Sequence, residues 1–378
     1  MNNLDELINI RHHLHANPEL SGKEFNTSKK VIELIRRYHP TELIQNVGGT
    51  GVIVVFDSGA KGETVLFRSE LDALPIHESN DLEYRSTIDE VAHKCGHDGH
   101  TTILIGLAKR LFEQPLTKGK VVLLFQPAEE DGSGAKAVLA DQRFSEIEPD
   151  YVFAFHNLPS YPLHQIVIRN NSFTAAVKSI VIKLYGKTAH AAEPENGANP
   201  SQAIADIINQ VNSISNNHLK EEYFQLITPI HISLGDINYG ISAGYGEVHL
   251  TLRSWTEKQL NILSEKVLHI ISSAAETYKI KSEIKWTHHF AANENDPEAV
   301  DIIFNSAIEN QLSIIHRSYP FKWGEDFGLF TQKYKGAMFG IGAGESTAAL
   351  HNPDYDFPDA IIPTGVDLFH KIATIILR

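Results

Sequence analysis

A chain of 378 residues, 42% hydrophobic and 21% charged with 25 Gly and 16 Pro, has the composition of an ordinary globular protein long enough for two domains, which excludes a disordered or fibrous one. Its 33 basic against 47 acidic residues give a formal net charge of -14, which repels a phosphate backbone and argues against a nucleic-acid partner. A single Cys excludes an intramolecular disulfide; no apolar run approaches the ~20 residues of a membrane span, and Met1-Asn2-Asn3-Leu4-Asp5 is no basic, apolar leader, so a cytoplasmic protein without membrane partners is expected.

Ile32, Leu34 and Ile35 recur at helical spacing. Buried strands are then expected at Gly51 to Phe56, Thr64 to Phe67, Val121 to Phe125 and Tyr151 to Phe155, with Ile103, Leu104, Leu107 and Leu111 marking a helix among them. This alternation predicts an α/β fold with a central sheet. From about Ala175 to about Lys285 the order changes to β (Val177 to Tyr185), α (Pro200 to Ile214), β (Gln225 to Leu234), β (Gly246 to Trp255), α (Glu257 to Tyr278) and β (Lys281 to Trp286). That βαββαβ order predicts an inserted, ferredoxin-like α+β domain. The tail returns to the first domain with a helix Asp296 to Asn310, a strand Gly336 to Ile341 and a last helix near Val366 to Leu377. The expected division is therefore 1–174 and 286–378 for the central-sheet domain, and 175–285 for the insertion.

Polar residues follow the expected strands: Glu70 and Asp72 after Phe67, Glu129 and Glu130 after Phe125, His156 directly after Phe155. Open α/β sheets hold their ligands at such carboxyl ends. Cys95-Gly96-His97-Asp98-Gly99-His100 sets the lone Cys among imidazoles, and a thiolate and an imidazole two residues apart can grip one divalent ion. Glu129 and Glu130 diverge, so one can bind a metal while the other serves as a general base toward metal-activated water. A strand-end His156, and His351 alone, are each ambiguous. Cys95, His97, Glu130, His156 and His351 together form a mixed S, N and O set that suits Zn²⁺ or Mn²⁺ in a two-metal hydrolase. Most of His12, His13, His15, His77, His93 and His100 are assigned structural or solvent roles.

The chain resembles the metallo-aminoacylase and carboxypeptidase family, in its branch of N-acyl-amino-acid, hippurate and indole-acetyl-amino-acid hydrolases. The resemblance runs through Leu14-His15-Ala16-Asn17-Pro18-Glu19-Leu20, Leu71-Asp72-Ala73-Leu74-Pro75, Cys95-Gly96-His97-Asp98, Gln126-Pro127-Ala128-Glu129-Glu130, His190-Ala191-Ala192-Glu193-Pro194 and His351. It implies two divalent ions on Cys95, His97, Glu130, His156 and His351, with Glu129 as general base and proton shuttle. It further implies that the insertion is a lid that also mediates homodimerisation, that His190 stabilises the oxyanion, that Arg253 binds a substrate carboxylate, and that Asn238 contacts oxyanion or carboxylate. Asp72 would orient a ligand histidine from behind. Gly324-Glu325-Asp326-Phe327-Gly328 resembles a supporting loop near the site.

The chain departs from the family pattern at Glu70, where Asp is usual, at Ala189, where Gly often precedes the lid histidine, and after Asn238, where Ile-Pro is missing. These departures bear on substrate fit more than on metal binding. The activity implied is hydrolysis of the amide bond of an N-acyl amino acid or related small amide. A dipeptidase or aminopeptidase on the same scaffold is the alternative within the class, and a catalytically silent metal-binding or small-ligand-binding protein the alternative outside it.

Overall fold

The computed structural model describes residues 3–219 and 224–378. They divide into two compact units, one formed by Met1–Phe173, Asn293–Ser318 and Glu325–Arg378, the other by Thr174–Ala292 and Tyr319–Gly324.

The first unit is built on an eight-stranded mixed sheet, in spatial order Glu42–Val47, Gly51–Asp57, Lys120–Gln126, Thr64–Glu70, Tyr151–Pro159, Lys335–Gly344, Ile166–Ile168 and Ile314–His316. Its central strands are unbroken apolar runs because both faces are covered. Helix His97–Glu113 lies against helices Asn3–Ala16 and Ile362–Ile376. It approaches closely through Gly106, where a Cβ would come within 2.6 Å of Val366 Cγ2. Phe67, Phe153, Phe155, Phe339 and Phe369 form the aromatic centre of the core.

The parallel strands of this sheet end along one rim. Glu70 pairs in register with Gln126, and His156 with Gly340. The ladder between Thr64–Glu70 and Tyr151–Pro159 stops at Phe67 and Phe153, while each strand keeps its other neighbour, Lys120–Gln126 and Lys335–Gly344 respectively, as far as the rim. His156 is not at a strand end as expected. Its strand runs on to Pro159, because Lys335–Gly344 continues to pair with it as far as Gly344. The Cys95 segment passes straight into a helix, which His97 already begins. Helix Asn3–Ala16 has no counterpart among the expected elements: its inward face carries Arg11 and His15 beside Leu7, Ile10 and Leu14, which blurs the apolar period.

The second unit is a four-stranded antiparallel sheet in the order Gln225–Leu234, Tyr245–Ser254, Ala176–Tyr185, Lys281–Phe290, packed with helices Ser201–Ile214 and Glu257–Thr277. This is the ferredoxin-like order. Val248, Leu250 and Leu252 are buried, while Glu247, His249, Thr251 and Arg253 alternate with them on the other face. The boundary at Lys285 needs correction. The last strand keeps its pairing as far as Phe290 opposite Val177, and Tyr319–Gly324 also joins this unit, where Ala175 N donates to Phe321 O. Among the described residues no helix is long and apolar enough to cross a membrane.

Candidate metal centre

Four chain segments bring donors to the rim of the first unit, His156 on the strand Tyr151–Pro159 and the other three set by main-chain turns. Gly96 has φ +96 and caps the helix that begins at His97; a Cβ there would lie 2.6 Å from Asn157 Oδ1, so the turn between Cys95 and His97 requires glycine. Beyond the strand Lys120–Gln126, Ala128 turns the chain with φ +50, and its amide donates to the buried Glu24 carboxylate at 2.9 Å. His351, at φ +66, donates its amide to Lys94 O at 2.8 Å, which anchors it beside Cys95.

The imidazoles are oriented from behind. His97 Nδ1 donates to Asp72 O at 2.9 Å, with the Asp72 carboxylate 3.2 Å away, and His156 Nδ1 donates to Asn157 O at 2.9 Å. Both Nε2 atoms therefore turn toward the site, the arrangement metal-binding histidines need. Asp72 Oδ2 accepts from Glu130 N at 3.0 Å and from Ser21 Oγ at 2.7 Å, so one carboxylate steadies two candidate ligands.

The donors converge. Cys95 Sγ lies 3.4 Å from His156 Nε2, and Glu130 Oε1 lies 3.9 Å from His97 Nε2 and 3.7 Å from His351 Nε2. Three overlapping groups, Cys95–His97–His156, Cys95–Glu130–His351 and His97–Glu129–Glu130, each have ligand atoms within 4.8 Å of one another. Cys95, His97, Glu129 and His156 are buried, whereas the His351 side chain is 51% exposed and marks the open side.

Among the described residues, His97 Nε2 and Glu130 Oε1 are buried without a hydrogen-bond partner, an arrangement that costs about 1–3 kcal/mol per group unless a cation engages it. Burial first, and then Glu130, Glu129 and Glu70, raise the Cys95 thiol well above its ordinary range. Burial and the neighbouring Glu325 and Glu130 do the same to Glu129. Burial also opposes charge on His97, yet Asp72, Glu70 and Glu130 outweigh it and push its pKa up to about 10. Such surplus negative potential suits divalent cations, and the residues present fit a metal centre.

The remaining candidates lie in the second unit. His190 is exposed on the short strand Ala189–His190, paired with Ile241, and its Nδ1 accepts from Ala192 N at 3.1 Å. Asn238 is close to it through the same ladder: Ile241 N donates to Asn238 O, and Ala191 N to Gly240 O. Asn238 lines a cavity of about 450 Å³ with Lys187, Asp236 and Tyr245. Arg253 lines another of about 510 Å³ with Val177, Thr251 and Phe290; it donates to Lys322 O at 2.8 Å, and burial lowers its pKa.

Residues 66–374 match the profile of peptidase family M20/M25/M40. The chain belongs to this family of hydrolases. Among M20 relatives, hippurate hydrolase of Campylobacter jejuni is 31% identical over 97% of this chain and 96% of its own. N-acetyldiaminopimelate deacetylase of Exiguobacterium sibiricum is 29% identical over 97% and 98%. A dinuclear metal-binding M20 peptidase of Bacillus subtilis superposes with a TM-score of 0.84 at 26% identity, covering 99% of this chain and 98% of that one.

One part of this M20 site was not expected from the sequence. Arg68, wholly buried, donates to Gln126 Oε1 at 2.9 Å, to Glu325 Oε1 at 2.8 Å, to Asp326 Oδ1 at 2.6 Å and to Glu70. The other Glu70 oxygen takes His100 Nδ1 at 2.7 Å, and His100 Nε2 meets Asn157 Oδ1, so His100 is occupied as a structural residue. The signal available was a cation inside an apolar strand, since a buried arginine must be paired. His15 is likewise structural, bonded to Asp98 at 2.8 Å and Glu78 at 3.0 Å.

Proposed function

We propose that this protein hydrolyses the amide bond of N-acyl amino acids or closely related small amides, releasing a carboxylic acid and a free amine. One observation carries the reading: donors of Cys95, His97, Glu130, His156 and His351 meet at one rim while a second carboxylate, Glu129, stands beside them. The names of the hippurate hydrolase and the N-acetyldiaminopimelate deacetylase, both similar along nearly their whole length, point the same way.

In this reading those five residues hold two divalent ions, Zn²⁺ or Mn²⁺. When bound, such ions supply Lewis acidity toward a carbonyl and lower the pKa of water to about 7. Glu129 takes a proton from the attacking water and delivers it to the leaving nitrogen, so no acyl-enzyme is needed. Its Oε2 faces His97 Nε2 at 3.9 Å and its Oε1 accepts from Asp326 N at 3.4 Å. Asp72 keeps His97 and Glu130 aimed. His190 donates to the carbonyl oxygen as it gains charge. Arg253 pairs with the substrate carboxylate, a role open to it because no carboxylate among the described residues bonds to it. Asn238 contacts oxyanion or carboxylate.

We also read the inserted unit as a lid and dimer contact in a cytoplasmic enzyme. Its edge strand Gln225–Leu234, bridged at Gln225 to Asn216, has no further strand on its outer side among the described residues and leaves Ile230, Ile232 and Leu234 exposed, an edge that a second copy can cover.

Metal analysis followed by turnover of N-acetyl and N-benzoyl amino acids, with and without chelator, tests the reading. Chelator-sensitive release of the free amino acid is expected. Turnover confined to free-amine dipeptides would replace it with a peptidase. Metal-loaded protein inert toward both would leave a binding protein.

A further inference from the structure

A glutamate side chain turns about three bonds, and Glu129 is flanked by Glu130 and Glu325, whose charges repel it from a fixed pose. Something must hold it. The donor is a main-chain amide, Asp326 N, at 3.4 Å from Glu129 Oε1. That amide belongs to a short turn whose own position is set by side chains. Asp326 accepts from Arg68 at 2.6 Å through Oδ1, and from Gln126 Nε2 and Ala135 N at 2.8 Å each through Oδ2. Glu325 Oε1 accepts from Arg68 at 2.8 Å and from Phe327 N at 3.2 Å. A single buried guanidinium thus ties the turn to the strands Thr64–Glu70 and Lys120–Gln126, the second of which leads directly into Glu129.

We propose that Arg68 and Asp326 are positioning residues that hold Glu129 in the orientation from which it exchanges a proton with water and leaving nitrogen; this rests on Glu129 being the proton carrier. Arg68 is suited to the task because its planar fork reaches several acceptors at once from one buried position. Displacement of a general base by about 1 Å is enough to cost on the order of 10²-fold in rate. The hydrogen bonds of both residues go to the turn, the strands and Ala135 rather than toward the ligand nitrogens, so the loss falls on the chemical step.

The test is a double-mutant cycle on the metal-loaded protein, with metal content, KM and kcat measured for each variant. Asp326→Asn is expected to lower kcat by roughly 10- to 100-fold with metal content and KM unchanged. In the Glu129→Gln background the same substitution is expected to cost nothing further, because the group it positions is gone. Wild-type kcat in Asp326→Asn, or an equal loss in both backgrounds, would overturn the inference while leaving Glu129 as the base. Normal turnover by Glu129→Gln alone would instead overturn the reading of Glu129. Should Asp326→Asn fail to fold, Arg68→Lys, which keeps the charge but not the fork, is carried through the same cycle with the same expectations.

Discussion

Cys95 Sγ and His156 Nε2 stand 3.4 Å apart although 61 positions separate them in the chain. Two ligands of one tetrahedral ion, with metal–sulfur and metal–nitrogen bonds of about 2.3 and 2.1 Å, would lie about 3.6 Å apart. Cys95→Ala is therefore expected to weaken metal affinity beyond the ~10- to 100-fold typical of losing an outer partner of a ligand. Mass spectrometry of the native protein and metal titration check this, and unchanged stoichiometry with unchanged activity would remove the thiolate from the site.

Glu129 and Glu130 are neighbours with separate tasks, Glu130 lying between His97 and His351 while Glu129 is held by Asp326 N. Glu129→Gln should lose at least ~10² in kcat while keeping its metal. Glu130→Gln should lose metal as well, so metal content measured alongside turnover separates the two.

Gly96 adopts φ +96 with its missing Cβ aimed at Asn157 Oδ1, 2.6 Å away. Gly96→Ala is expected to destabilise the first unit by about 1–3 kcal/mol and to spread Cys95 from His97. Thermal unfolding and metal content measure the two effects, and a variant with wild-type values in both would show that the turn tolerates a side chain.

His15 is buried between Asp98 and Glu78, which overcome the cost of burial and raise its pKa from 6.5 to about 9. Because the folded-state value is the higher one, its stabilising contribution is complete below pH 6.5 and is lost as pH rises through about 9. The Tm should fall across that window, and His15→Gln should flatten this part of the profile. An identical slope in the variant would assign the loss to other groups.

Arg253→Ala should raise KM roughly 10- to 100-fold for substrates bearing a carboxylate, as expected for loss of a charged hydrogen bond, with kcat little changed. Steady-state kinetics on paired acids and amides decide it, since equal losses on both would argue against carboxylate recognition.

Much of the architecture was legible because it is local. The apolar runs of Gly51–Asp57 and Lys120–Gln126 and the alternation in Tyr245–Ser254 announce their strands through periods of one or two residues. Helix Asn3–Ala16 escaped because Arg11 and His15 stand where apolar residues would mark an inward face. Their burial is supported by Asp98, Asp356, Asp359 and Glu78, all far along the chain.

By itself the sequence determined the family, the two-part α/β design and the residue types available for metal chemistry, since motif order and hydrophobic period are properties of neighbours in the chain. Only the tertiary structure decided that Lys281–Phe290 belongs wholly to the inserted sheet, that His100 is tied to Glu70 and Asn157, and that Arg68 gathers Glu325 and Asp326 behind Glu129. Pairing between charges more than 250 residues apart leaves no period in a sequence, because it is set by where the strands end in space and by the need of a buried cation for partners.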